Sequence, residues 1–256
     1  MSTVNLDRRR AGVENEVSPA KAPASKDCHR CEIRHLAFCG ALDPQNLDEI
    51  QAIMQTRHIP AGAHVINEGD EAVSVFNVAS GSVKLYKLLP DGRCQITGFL
   101  LPGDFCGIAT DGTYAYSAEA LEPSEICSMP RRKLDAVFAR HPELERRLLA
   151  IVSHELSVAQ DQMLLLGRKT AAERLAAFLL RQSGRNDRIG WPANPVHLPM
   201  SRADIADFLG LTIETVSRTF TKLKDEGIIQ LPSKTVVELT DRGRLEALAE
   251  GAAGER

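Results

Sequence analysis

Two rhythms of apolar and polar positions divide this chain. From His58 to Met129 short apolar runs alternate in period two, as in Val73-Ser74-Val75-Phe76-Asn77-Val78 and Val83-Lys84-Leu85-Tyr86. Glycines at 62, 69, 81, 92, 98, 103, 107 and 112 punctuate them. Short strands with a turn signal roughly every ten residues predict a small antiparallel sandwich or barrel. Pro90-Asp91-Gly92 is a hairpin signal. None of these glycines forms a phosphate loop ahead of a helix, so they read as turn residues. Ahead of the sandwich, Asp43-Pro44 offers a cap and a first-turn proline for a helix to about Gln55, with Leu47, Ile50 and Met54 on one face.

The second rhythm starts at Pro142 and runs to about Leu166. Leu149, Val152, Leu156, Ala159, Met163 and Leu166 recur at alternating spacings of three and four, with charged and amide residues between. So narrow a seam on a long helix predicts pairing with a second helix, hence a homodimer. The competing expectation is packing on the chain's own sandwich. Ala159 buries little area, so the seam should be only moderately strong.

Beyond Lys169 an amphipathic helix, with Leu175, Phe178 and Leu179 on one face, leads to Ser183, and 183–197 reads as a polar loop. Ser201 then caps a short helix, with Asp204 completing a shortened capping box. Leu209-Gly210-Leu211 turns the chain, and Thr212 caps a second helix through about Asp225. Ile213, Val216, Phe220 and Leu223 form its inner face; Glu214, Ser217, Arg218 and Thr221 project outward. This is a helix-turn-helix, and 228–231 with 235–239 predict a two-stranded wing. Arginine can bond guanine O6 and N7 together, glutamate can accept from cytosine N4, and serine suits several base edges. The plain alternative is a surface salt bridge between Glu214 and Arg218.

Composition describes an ordinary globular chain: 256 residues, 43% hydrophobic, 25% charged, formal net charge −3. A mild negative balance leaves local DNA-binding faces open. No apolar run approaches a membrane span, and Met1 to Arg10 is polar and basic, unlike a secretory signal. A cytoplasmic protein is expected. Residues 1–27 read as a disordered leader, with Arg8-Arg9-Arg10 as a solvated tail.

The cysteines change the picture. Cys28, Cys31 and Cys39 fall in a C-x2-C-x7-C spacing, half of the six in the chain. Without a secretory signal, such density points to soft metal ligation by zinc or an iron–sulfur cluster, free loop thiols being the bland alternative. A fourth ligand is needed, and spacing does not choose between Cys94, Cys106 and Cys127. His29 and His35 read as solvent-exposed rather than as ligands. No dinucleotide fingerprint, phosphate loop or Ser/Cys–His–Asp order supports an enzyme.

Several stretches together resemble the cyclic-AMP receptor protein superfamily, and within it the oxygen-sensing fumarate-and-nitrate-reduction (FNR) branch. They are Gln95-Ile96-Thr97-Gly98-Phe99, Leu101-Pro102-Gly103-Asp104, Ala120-Leu121-Glu122, Leu164-Leu165-Leu166, Ala172-Glu173-Arg174-Leu175-Ala176-Ala177-Phe178 and 209–218. The resemblance covers essentially all of residues 28–240. It implies an α+β chain: a cyclic-nucleotide-binding-like β-sandwich (jelly roll), a long dimerisation helix and a C-terminal winged helix-turn-helix. The corresponding divisions are 28–141, 142–167 and 168–256.

What the resemblance implies about chemistry is specific. A [4Fe–4S] cluster would be held by Cys28, Cys31, Cys39 and Cys127, the last following the Ala-Leu-Glu stretch, while Cys94 and Cys106 stay outside. Where cyclic-nucleotide sensors carry an Arg-Ser pair, this chain has Tyr116-Ser117-Ala118, so a cyclic phosphate would lose its bidentate partner and no cyclic nucleotide is expected. Without oxygen the intact cluster favours the dimer, which binds double-stranded DNA at TTGAT/ATCAA half-sites and recruits RNA polymerase, with the hairpin at Pro90–Arg93 as a candidate contact surface. Two other classes stand beside this reading: a factor of the same fold with a structural zinc, and a redox enzyme or electron carrier.

Overall fold

The structure is a computed structural model that describes residues 27–109 and 111–251. The expected leader and the Arg8-Arg9-Arg10 run lie outside the described residues. The described residues open with 3-10 turns at Cys28–Arg30, Phe38–Ala41 and Pro44–Asn46, then helix α1 (Leu47–Ile53). Helix α1 is shorter than the spacing predicts. Pro44 opens a 3-10 turn and Asp43 makes no side-chain cap, so the α-helix starts only at Leu47.

Eight strands follow: β1 (Gln55–Ile59), β2 (His64–Ile66), β3 (Ser74–Ser80), β4 (Val83–Leu88), β5 (Cys94–Leu100), β6 (Phe105–Cys106), β7 (Ser117–Ala120) and β8 (Ser124–Pro130). They form two antiparallel sheets, ordered β1-β8-β3-β6 and β2-β7-β4-β5. Between the sheets lies a core that includes Phe76, Val78, Val83, Cys106, Ala118 and Ile126. The β4–β5 hairpin turns at the expected Pro90-Asp91-Gly92, with Gly92 at φ +83° in the left-handed region.

Helix α2 (Arg131–Phe138) was not legible in the spacing; it leads into α3 (Pro142–Arg168). A second core joins Phe38, Leu42, Leu47 and Ile50 of the N-terminal segment to Val75 and Met129 of the first sheet and Leu134, Val137 and Leu144 of these helices. That core sits on the outer face of the sheet, because Val75 and Met129 alternate with the inward Phe76 and Ile126.

Helix α4 (Ala171–Arg188) opens on a complete capping box, Thr170 with Glu173, and runs past the expected stop at Ser183. The Ser183 side chain is fully buried and donates to Ala193 O at 2.7 Å, so tertiary contact outweighs the local helix-breaking signal. Then come β9 (Val196–His197), α5 (Arg202–Leu209), α6 (Ile213–Asp225), β10 (Ile229–Gln230), β11 (Val236–Leu239) and α7 (Arg242–Ala249). The wing sheet has three strands, β10-β11-β9, one more than predicted.

Candidate functional site

The cysteine segment lies on the outer face of the first sheet. Cys28 opens a 3-10 turn capped by Asp27, whose side chain accepts from His29 N at 2.9 Å, and Cys28 N donates to Gln51 Oε1 at 2.9 Å. Cys39 sits in the next such turn, beside the fully buried Phe38. The Phe38 ring packs edge-on against Phe105, with centroids 5.3 Å apart, and anchors the segment to the sheet. A Cβ at Gly40 would stand 2.3 Å from Arg34 O, so only glycine lets the loop close this tightly.

Strand alternation brings Cys127 to the same face. Ile126 points into the sandwich, Met129 into the outer core, and Cys127 shares the Met129 face. Cys106, next to the outward Phe105, points into the sandwich core. Cys94 lies at the far end of β5 in the other sheet, where Asp207, Lys84 and Asp204 influence it.

The four remaining thiols feel one another. Burial pushes Cys28 up to about 11 and Cys39 and Cys127 up to about 12. Burial also raises Cys31. After burial, the strongest influences on Cys127 are the charges of Cys31, Cys28 and Cys39, and on Cys39 those of Cys31 and Cys28. Cys106, also pushed to about 12 by burial, responds next to Asp104 instead. Among the described residues, no three His, Cys, Asp or Glu side chains converge closely enough for a single metal ion. Four thiols are a donor set that soft metal ligation uses, by zinc or an iron–sulfur group alike. His29 and His35 are exposed, as expected; His29 Nε2 lies 3.0 Å from Asp48.

The cysteine segment also leans on α3. Arg147 Nη2 donates to His35 O at 3.4 Å, and Ile151 packs against the outer core. The far side of α3 carries the apolar stripe into solvent: Leu149 is 66% exposed, Leu156 60% and Met163 71%, with Val152 and Ala159 also exposed. Packing on the chain's own sandwich is thereby overturned for these positions. Leu166 differs from the rest. It is half-buried and packs at the Gly210 turn of the C-terminal domain. At its N-terminal end the stripe borders a cavity of about 570 Å³ lined in part by Ile108, Leu134, Phe138, Leu149 and Val152.

The helix-turn-helix follows its local code closely. The Ser201 side chain accepts from Asp204 N, Gly210 takes the left-handed conformation at φ +62°, and the Thr212 hydroxyl accepts from Thr215 N. Glu214, Ser217, Arg218 and Thr221 are all exposed on one face of α6. The Thr221 hydroxyl is turned back onto Ser217 O at 3.1 Å. The Glu214 carboxyl is held below its ordinary range chiefly by its own backbone N–H and Thr212, with Arg218 the weakest contributor. Pairing with Arg218 is therefore not what fixes Glu214. Ile213, expected on the inner face, is 46% exposed, and Thr219 is buried with its hydroxyl on Thr215 O at 2.7 Å.

Contacts between the two halves escaped sequence reasoning. Phe99 of β5, Phe178 of α4 and Phe208 of α5 form an aromatic triangle with centroids 5.1–6.2 Å apart. Around it, Gln95 Nε2 donates to Asp207 O at 2.6 Å, Arg185 pairs with Asp104, and Lys84 pairs with Asp204. The Arg174 guanidinium ties the α3 end to the turn, donating to Leu166 O, Lys169 O and Leu209 O at 2.8–2.9 Å.

A β-sandwich joined through a long helix to a winged helix-turn-helix defines the class as a DNA-binding regulator. Residues 56–141 match the cyclic nucleotide-binding domain and residues 173–248 the Crp-like helix-turn-helix domain. The nitrogen fixation regulation protein FixK of Bradyrhizobium diazoefficiens is 44% identical over 227 residues, covering 89% of this chain and 95% of that protein. Transcriptional activator protein FnrA of Stutzerimonas stutzeri is 37% identical, covering 93% and 98%. The solved structure of FixK2 from Bradyrhizobium japonicum superposes with a TM-score of 0.72 at 38% identity, over 77% of this chain and 97% of that one. This chain belongs to the CRP/FNR family of transcriptional activators. Members of this family are DNA-binding regulators that typically dimerise, and not enzymes. No helix among the described residues is long and apolar enough to cross a membrane.

Proposed function

We propose that this chain is an oxygen-responsive activator whose Cys28, Cys31, Cys39 and Cys127 hold a [4Fe–4S] cluster. The observation that carries this reading is the gathering of these four thiols, out of six, on the outer face of one sheet beside α3. When bound, the cluster supplies reactivity toward oxygen. The chain's own residues do the rest. The thiols tie the 28–42 segment to β8, and that segment bears on α3 through Arg147 and Ile151. On the opposite side of α3, Leu149, Val152, Leu156, Ala159 and Met163 form the face for a second copy. Association sets two α6 helices about one turn of DNA apart, roughly 34 Å, on a TTGAT-N4-ATCAA-like palindrome. Arg218 takes the guanine, Glu214 the cytosine amine and Ser217 the neighbouring thymine methyl, with Thr221 alongside.

A monomer–dimer balance needs a bias of only a few kcal/mol to move most of the population, so a seam with Ala159 at its middle suits a switch. The exposed Pro90–Arg93 hairpin, braced by Arg93 against Asp91 at 2.8 Å, is the surface offered to RNA polymerase. In place of a phosphate-binding arginine, the Tyr116 hydroxyl accepts from Gly107 N at 2.9 Å and its ring packs against the sandwich core, so no cyclic nucleotide is bound there.

The test is anaerobic purification followed by iron, sulfide and zinc analysis, then titration against the palindrome before and after exposure to air. Brown protein with about four iron and four sulfide per chain, dimeric and DNA-bound only without oxygen, supports the reading. Colourless protein with one zinc per chain overturns it.

A further inference from the structure

Among the described residues, Asn77 Oδ1, Asn186 Nδ2 and His197 Nδ1 are buried side-chain atoms without a hydrogen-bond partner. Asn77 stands apart by its position. It is 3% exposed, in a strand whose neighbours Val75, Phe76 and Val78 are apolar core, and nothing about packing calls for a carboxamide there. The strand register explains the residue. Cys127 is paired directly with Asn77 on one side and with Thr56 on the other, and Asn77 is paired in turn with Phe105. Direct antiparallel partners share a face with Cβ atoms roughly 4.5–5.5 Å apart. Thr56, Cys127, Asn77 and Phe105 thus form one row across the outer face of the sheet, beneath the segment that carries Cys28, Cys31 and Cys39. Among the described residues the Asn77 side chain makes one hydrogen bond, a long one, Nδ2 to Gly103 O at 3.5 Å.

We propose that Asn77 is a positioning and tuning residue of the thiol site, donating its carboxamide N–H to the sulfur of Cys127 once the thiols are ligands. This rests on the cluster reading above. A carboxamide offers two donors and one acceptor oxygen, and a half-turn of its end exchanges them. The unpartnered Oδ1 is an acceptor and cannot meet a thiolate, so the bond to Cys127 requires that half-turn: Nδ2 takes the place of Oδ1 and donates to the sulfur, at the cost of the long contact with Gly103 O. Hydrogen bonds to the sulfurs are among the features that set the potential and lability of iron–sulfur clusters. Draining charge from Cys127 makes the cluster harder to oxidise and slower to be lost in air.

The experiment compares wild-type full-length chain with Asn77→Leu, close in shape but without polar atoms, and Asn77→Ala as a second variant should the larger side chain not be accommodated. Each is loaded anaerobically with iron and sulfide. The readouts are iron content, the rate at which cluster absorbance is lost in air, the deuterium sensitivity of the terminal Fe–S stretching bands, and the urea midpoint of the metal-free chain. The expected result is that the variants load, lose the cluster roughly three- to tenfold faster than wild type, and show a smaller deuterium shift. Metal-free Asn77→Leu should be as stable as wild type or more so, since an unmet buried polar atom has been removed. Variants that load and match wild type in both decay rate and deuterium shift overturn the role of Asn77 while leaving the cluster reading intact. Wild type that takes up no iron removes the cluster reading itself, and the role of Asn77 with it.

Discussion

Lys84 Nζ lies 3.1 Å from Asp204 Oδ1, joining the second sheet of the sandwich to the first turn of α5, residues 120 positions apart. Lys84 also reaches Glu119 Oε1 at 3.2 Å, and both members of the long-range pair are largely screened from solvent. Removing the cation leaves a half-buried Asp204 with less compensation. Lys84→Met should therefore destabilise the docking of the two halves by about 1–3 kcal/mol. Limited proteolysis of the 189–195 connection and the urea midpoint both report it; an unchanged midpoint would show the pair to be energetically idle.

The same pair sets a pH dependence. Burial pushes Asp204 up, but hydrogen bonds from Ser201 and the pull of Lys84 outweigh it, leaving the carboxyl below its ordinary 3.8. Burial pulls Lys84 down, and Asp204 and Glu119 reverse that, leaving it above 10.5. A depressed carboxyl stabilises fully above its unfolded value and loses that contribution as pH falls through the folded one. A raised amine stabilises below its unfolded value and loses its contribution as pH rises through the folded one. The stability difference between wild type and Lys84→Met should be flat across neutral pH and narrow on acidification below about pH 4. A difference that persists at the acid end would mean Asp204 is not the group responsible.

Cysteine substitutions should sort by sheet face. Cys28→Ser, Cys31→Ser, Cys39→Ser and Cys127→Ser should each abolish iron uptake. Cys106→Ser should leave iron intact but lower stability by about 1–3 kcal/mol, since it places a hydroxyl in the sandwich core. Cys94→Ser should change neither. Iron analysis beside thermal unfolding separates the three outcomes.

Ala159→Leu should strengthen the exposed stripe of α3 by on the order of 1–2 kcal/mol per helix if the added side chain packs across the seam. The dimer should then persist in air. Sedimentation velocity at micromolar concentration is the check, and an unchanged dimer fraction would place the partner surface elsewhere.

Arg218→Ala should cost about 1–3 kcal/mol per half-site and erase discrimination at one G·C pair. Lys222→Ala, further along the exposed face of α6, should weaken all duplexes alike. Titration of single-base variants at fixed salt distinguishes them. If Arg218→Ala weakens every duplex equally, its contact is to the backbone.

How much of this could be read beforehand depends on how local the cause is. The α5–α6 unit was legible almost residue by residue, because Ser201, Asp204, Gly210 and Thr212 act within three or four positions of themselves. The fourth thiol of the proposed site was not legible from spacing. Choosing Cys127 over Cys106 requires knowing which face of which strand each occupies, and only the family resemblance pointed to it. Ser183 misled because its burial against Ala193 is decided by a later segment. Ile213 has helical spacing suited to the inner face, yet at the first turn of α6 it stands clear of the core that receives Val216 and Phe220. The Lys84–Asp204 pair and the Phe99–Phe178–Phe208 triangle join distant positions and left no local trace. Asn77 did leave one, a lone amide in an apolar run, which the alternation of β3 made visible only in retrospect.

The alternation that delivers Cys127 has a consequence for assembly order. Cys28, Cys31 and Cys39 are close along the chain and can meet an iron source before anything has folded. Cys127 cannot: it comes to the outer face only when β8 has zipped between β1 and β3 in the right register, and a slip by one residue would present Ile126 or Ser128 in its place. A cofactor closed by all four thiols is thus a certificate of a correctly paired sheet. On the proposed cluster reading, misregistered chains would be left with a three-coordinate, labile attachment, and loading would act as a quality filter on the fold before the regulator ever meets DNA.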